Sequence, residues 1–150
     1  MRPASLVLEI TEQVLLTDTA TAAAVLGELR ADGVKVAIDD FGTGFSSLRY
    51  LHELPVDVIK IDRSFVSEEA PNEERSFILE AIVAMGRGLG LDLIAEGIER
   101  TSERERLRML GPMAGQGYLI ARPMPAAQAS ALLGPLSLGS SEAPIGLAAG

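Results

Sequence analysis

The chain has 150 residues, no cysteine, 13 Lys plus Arg against 21 Asp plus Glu, and a formal net charge of −8. That length suits one domain, and an apolar fraction of 47% suits a packed core rather than a disordered chain. Disulfides, thiolate metal sites and a cysteine nucleophile are excluded, and the acidic balance argues against a nucleic-acid polymer or an anionic membrane as the main partner.

Short β-branched runs alternate with helical patterns along the chain. Leu6 to Ile10 reads as a first strand. Asp18 is a candidate N-cap, and Ala22, Val25, Leu26 and Leu29 keep the spacing of one helix face up to Gly33. Val34 to Ile38 is a second strand, followed by the loop Asp40 to Gly44 and a short helix near Ser47 to Glu53. Asp57 to Ile61 is a third strand. Pro71 to Glu74 carries the signals of a helix start, and the helix extends past Met85 to Gly88 and Gly90. Leu91 to Ala95 is a fourth strand. Ser102 and Glu105 have the spacing of a capping box for the next helix, which Gly111-Pro112 ends. Gly117 to Ala121 is the expected fifth strand and Ala126 to Leu133 the last helix. The residues beyond Gly134, rich in Gly, Ala, Ser and Pro, read as a disordered tail.

Five strand–helix units in succession predict an α/β fold with a parallel sheet and right-handed crossovers. A complete eight-stranded barrel of this type needs about 250 residues. No stretch reaches the roughly 18 apolar residues of a membrane span. The first ten residues are too short for a signal peptide, so the cytoplasm is the expected location.

The carboxylates are not scattered. Glu9 ends the first strand, Asp39 and Asp40 follow the second, Lys60 and Asp62 end the third, and Glu96 follows the fourth, with Glu99 three residues on. Gln116 lies at the fifth strand. In α/β barrels and open α/β sheets these carboxyl ends form the active-site face. Taken singly, an acid after a strand is more often a helix cap or a loop residue. Together, Glu9, Asp39, Asp40 and Glu96 would repel one another without a cation. Oxygen-only ligands suit hard divalent ions such as Mg²⁺ or Mn²⁺, and adjacent aspartates suit a two-metal arrangement for phosphoryl chemistry. A lysine at the same rim suits orientation of an attacking hydroxide or neutralisation of phosphorane charge. The single histidine, His52, reads as an exposed helix residue, and Gly42-Thr43-Gly44 as a mobile loop rather than a phosphate cradle. Arg100, Arg104, Arg106 and Arg108 read as a solvated helix face.

The segments LEITE (8–12), AIDDFGTGFSSLRYL (37–51), VIKIDRSFV (58–66), IAEGIE (94–99) and GQGYLIARPMP (115–125) resemble, in order and spacing, the EAL-domain family of bacterial cyclic-di-GMP phosphodiesterases. The resemblance implies an incomplete TIM-type (β/α) barrel over residues 5–134, with 135–150 as the tail. It implies hydrolysis of cyclic-di-GMP to linear pGpG with two Mg²⁺ or Mn²⁺ ions. By position it makes Glu9, Asp39, Asp40 and Glu96 metal ligands, with Asp39 bridging. Lys60 matches the lysine that holds the catalytic water, and Glu99 a required acid beside the centre. Gln116 matches an active-site glutamine, and Glu12 the anchor of the loop after the double aspartate.

The name-giving Glu-Ala-Leu strand and a later strand with an Asn ligand should precede Leu6. Glu-Ala occurs at 69–70, 80–81 and 142–143, never before Leu. The expectation is therefore a C-terminal fragment, a product begun at an incorrect start, or a degenerate remnant. Such a chain should be weak or inactive alone and prone to associate, as a homodimer or with another EAL domain. The alternative function is a non-catalytic cyclic-di-GMP-signalling module that binds or docks.

Overall fold

Strands form where β-branched residues run together, and the computed structural model of the chain describes residues 3–11, 19–43, 51, 53–68 and 73–133. A 3₁₀ turn at Pro3–Ser5 leads into β1 (Val7–Thr11). There follow α1 (Thr19–Ala31), β2 (Lys35–Phe41), β3 (Val58–Ile61), α2 (Arg63–Val66), α3 (Glu73–Gly88), β4 (Asp92–Ala95), α4 (Thr101–Leu110), β5 (Ala114–Gly115) and α5 (Ala126–Leu133). The five strands form one sheet in the order β1-β2-β3-β4-β5, and every neighbouring pair is parallel. The expected parallel sheet is therefore the observed one, and its strands pair in chain order. All carboxyl ends share one rim, as parallel strands joined by helical crossovers require.

β3 is central and buried at all four positions. Val36, Ile38, Ile59, Ile61 and Leu93 enter the core with Leu79, Ile82 and Val83 of α3. Continuous apolar strands of this kind mark a sheet covered on both faces. Gly86 of α3 is buried, and a Cβ there would stand 2.5 Å from Leu93 Cδ2, so the helix lies close on β4.

Three expectations are corrected. The fifth strand is Ala114–Gly115, paired with Ile94 and Ala95, not Gly117 to Ala121. The apolar run after Gly117 turns instead: the Gly117 carbonyl accepts from the amides of Ile120 (3.0 Å) and Ala121 (3.1 Å). Ser102 and Glu105 do not cap α4. The helix begins two residues earlier than that cap implies, with Arg100 at the N-cap, and Glu103 accepts from the amides of Glu99 at 2.8 Å and Arg100 at 2.9 Å. Ser102 instead donates to Glu68, at 2.7 Å. The arginines of α4 are not one solvated face, because Arg106 donates to the carbonyls of Phe65 (3.0 Å) and Val66 (2.7 Å). Glu12, Asp18, Gly44, His52, most of the short helix expected near 47–53, and the tail lie outside the described residues.

Candidate active site

Lys60 is the only basic side chain on β3, and its place there decides its surroundings. It is buried, at 5% exposure, on the central strand. Its Nζ lies 2.8 Å from Glu9 Oε2, 2.7 Å from Asp39 Oδ1 and 2.7 Å from Glu96 Oε1. These carboxylates come from β1, from β2 and from the residue directly after β4. Burial by itself would lower the Lys60 pKa, but hydrogen bonds to Asp39, Glu9 and Glu96 outweigh it and hold the ammonium above the ordinary lysine value. The Glu96 carboxyl is raised above the ordinary glutamate value, chiefly by burial, while Lys60 opposes the shift.

Gln116, just past β5, donates to Glu96 Oε1 at 2.7 Å, so one oxygen of Glu96 faces both the lysine and the amide. Gln116 is brought there by a close crossing of two loops, because Gly117 lies so near the Ile98 backbone that no Cβ fits. The Gln116 carbonyl accepts from the Ile98 amide at 3.1 Å, and the Gln116 amide donates to Ala95 at 2.9 Å.

Successive residues of a strand point to opposite faces, so two adjacent aspartates do not ordinarily serve one site. β2 resolves this with an irregularity in its register against β3 between Ile38 and Phe41. Asp40 has φ +53, a left-handed conformation that aspartate tolerates better than most residues. Oxygens of Asp39, Asp40 and Glu96 then lie within 4.8 Å of one another. Gly42 follows with φ +96 and packs against the Phe65 ring, where a Cβ would meet Cε2 at 2.9 Å. The expected freedom of this glycine is thus used for both backbone conformation and close approach.

The acids fit a hard divalent cation. The donors are all carboxylate oxygens, they converge from several strands, and three of the four acids face one ammonium. Lys60, Glu9, Asp39, Asp40, Glu96 and Gln116 are therefore brought to one rim. Glu99 is not among Lys60's partners; its carboxylate pairs with Arg63 at 3.0 Å. Asp62 caps α2, accepting from the Ser64 amide at 3.0 Å. Sequence reasoning passed over Arg63 and Glu103. The short range from Arg63 to Val66 gave no helical period to place the former, and the Ser102–Glu105 spacing obscured the latter.

An open parallel segment of a TIM-type (β/α) barrel, with carboxylates gathered about a lysine at its C-terminal rim, defines the class of fold and site. The chain belongs to the EAL domain family, whose model matches residues 1–123. It is 46% identical over 128 residues to the bifunctional diguanylate cyclase/cyclic di-GMP phosphodiesterase MucR of Pseudomonas aeruginosa, covering 85% of this chain and 19% of that protein. A solved PaMucR phosphodiesterase in complex with c-di-GMP has a TM-score of 0.82 and 45% identity, over 87% of this chain and 53% of that one. BlrP1 of Klebsiella pneumoniae, solved as a manganese/cy-diGMP complex, has a TM-score of 0.75 and 35% identity, over 82% of this chain and 31% of that one. The chain thus spans about a fifth of the length of MucR and about half of the solved PaMucR chain. Among the described residues no helix is long and apolar enough to cross a membrane.

Proposed function

We propose that residues 5–134 form the C-terminal part of a cytoplasmic EAL domain that hydrolyses cyclic-di-GMP to linear pGpG. One observation carries this reading: the buried Lys60 ammonium stands within 2.8 Å of carboxylates delivered by three separate strand ends. Kinship with MucR and the c-di-GMP complex of PaMucR supports the substrate. The manganese complex of BlrP1 supports a divalent cation.

Glu9, Asp39, Asp40 and Glu96 would hold two Mg²⁺ or Mn²⁺ ions. When bound, such ions supply Lewis-acid activation of water and offset the phosphodiester charge. Lys60 holds the attacking water in line with the scissile bond. Water oxygen bonds to phosphorus as the water gives up one proton, the P–O3′ bond breaks, and O3′ takes up one proton and leaves as a hydroxyl. Gln116 holds Glu96 and faces the substrate. Exposed Leu6, just before β1, and Val7 and Leu8 on it favour a second reading, in which this segment docks onto another EAL domain without cleaving.

The test joins the upstream half of a related EAL domain to this chain and follows pGpG release chromatographically. The joined domain should be active and the 150-residue chain alone nearly inactive. Asp39→Asn should abolish turnover with weakened Mn²⁺ binding, and Lys60→Ala should spare Mn²⁺ binding yet lower turnover. An inactive joined domain, or the reverse ordering of the two variants, would overturn the proposal.

A further inference from the structure

Arg63 opens α2, three residues after Lys60, and its side chain crosses to the segment that follows β4. Its guanidinium pairs with Glu99 at 3.0 Å. Its aliphatic stem lies on Gly97: a Cβ built there would stand 2.5 Å from Arg63 Cγ and 2.7 Å from both Cβ and Cδ. Gly97 has φ +66 and directly follows Glu96. The arginine therefore covers the one residue that turns the chain away from Glu96, and its head group grips the chain two residues further on.

The rest of this segment is tied by backbone bonds. The Glu96 amide donates to Ile61 at 3.0 Å and the Ile98 amide to Gln116 at 3.1 Å. Stability does not explain the ion pair. Its side chains are 48% and 34% exposed, and such pairs contribute only about 0–1 kcal/mol. Placement does explain it, because a carboxylate misplaced by about 1 Å can cost a site on the order of 10²-fold.

We propose that Arg63 and Glu99 form a clamp over Gly97 that fixes Glu96 at the rim. Both are positioning residues, and Glu99 acts through Glu96 rather than on reacting atoms. The inference rests on the metal-site reading above and assigns a role to Arg63.

The test uses the full chain and Mn²⁺ alone as probe. Mn²⁺ affinity, ¹⁵N relaxation at Gly97 and the thermal midpoint are compared for wild type, Arg63→Ala, Glu99→Gln and Arg63→Lys. Arg63→Ala and Glu99→Gln should each weaken Mn²⁺ binding about tenfold, in the range for residues that orient ligands. Motion should rise at Gly97, with the thermal midpoint nearly unchanged. Arg63→Lys, which keeps stem and charge, should recover most of the affinity. Unchanged Mn²⁺ affinity and unchanged Gly97 motion in Arg63→Ala would overturn the clamp. So would disorder spread over the whole sheet, which would make the role structural. If the wild-type chain alone binds no Mn²⁺, the affinity comparison is made in the joined domain, where absence of binding fails the metal-site reading, and Gly97 motion in the chain alone decides the clamp.

Discussion

Asp40 occupies backbone space that glycine enters freely and most side chains avoid. Its φ of +53 turns the end of β2 so that a second carboxylate joins Asp39 near Glu96. A non-glycine residue held there costs on the order of 1 kcal/mol, and a β-branched one costs more. Asp40→Gly should therefore be neutral or stabilising by up to about 1 kcal/mol, whereas Asp40→Val should be less stable than Asp40→Gly by at least about 1 kcal/mol. Urea denaturation of both variants checks this, and equal midpoints would show that the conformation carries no strain. The place of Asp40 near the carboxyl end of the second strand was legible in the sequence, but β2 runs on through both aspartates to Phe41; the backbone reversal that lets two successive strand residues share one site was not legible, because no residue type there demands it. Lys60 was legible for the opposite reason: a cation in an apolar strand needs partners, and the neighbouring strand ends supply them.

At the scale of elements, α4 is fixed to the segments it follows by its own first turn. Glu103 is 2% exposed. Its carboxylate accepts from the amides of Glu68 (3.2 Å), Glu99 (2.8 Å) and Arg100 (2.9 Å). Burial would raise its pKa, but the amides outweigh burial and lower it from the usual 4.5. A carboxylate with a depressed folded pKa stabilises fully above its unfolded value, and the contribution disappears as pH falls through the folded one. Glu103→Gln should thus be less stable than wild type near neutrality, and the gap should close in acid, below the usual glutamate range. Glu103→Ala should cost about 2 kcal/mol at neutral pH, since three part-buried amides lose their acceptor. Denaturant midpoints across pH check both, and a pH-independent gap would exclude the ionised carboxylate as the cause. β2, β3 and β4 were legible because each is a nearly unbroken run of β-branched or aliphatic residues. β5 was not: Ala114–Gly115 has no β propensity, and the Tyr118–Ile120 run that has it is bent by Gly117.

At the scale of the whole molecule, the sheet is open among the described residues, with β1 and β5 each paired on one side. Leu6, Val7 and Leu8 are 44%, 51% and 38% exposed beside β1's unpaired backbone. Exposed apolar edges of this kind invite pairing with another chain. The purified chain should therefore associate in a concentration-dependent way, and Val7→Lys should shift it toward monomer. Sedimentation velocity of the two proteins checks this, and a wild-type monomer at every concentration would remove the edge as a contact surface.

The three ion pairs of Lys60 bear on the order in which such a molecule is made. Carboxylates drawn together from distant stretches of chain normally wait for a metal to reconcile them, and domains built that way unfold when it is withdrawn. Here the chain brings its own counter-ion, delivered by the central strand as the sheet closes. On the proposed metal-site reading, assembly of the rim and capture of a metal are separate events, and the cradle would exist before its cargo arrives.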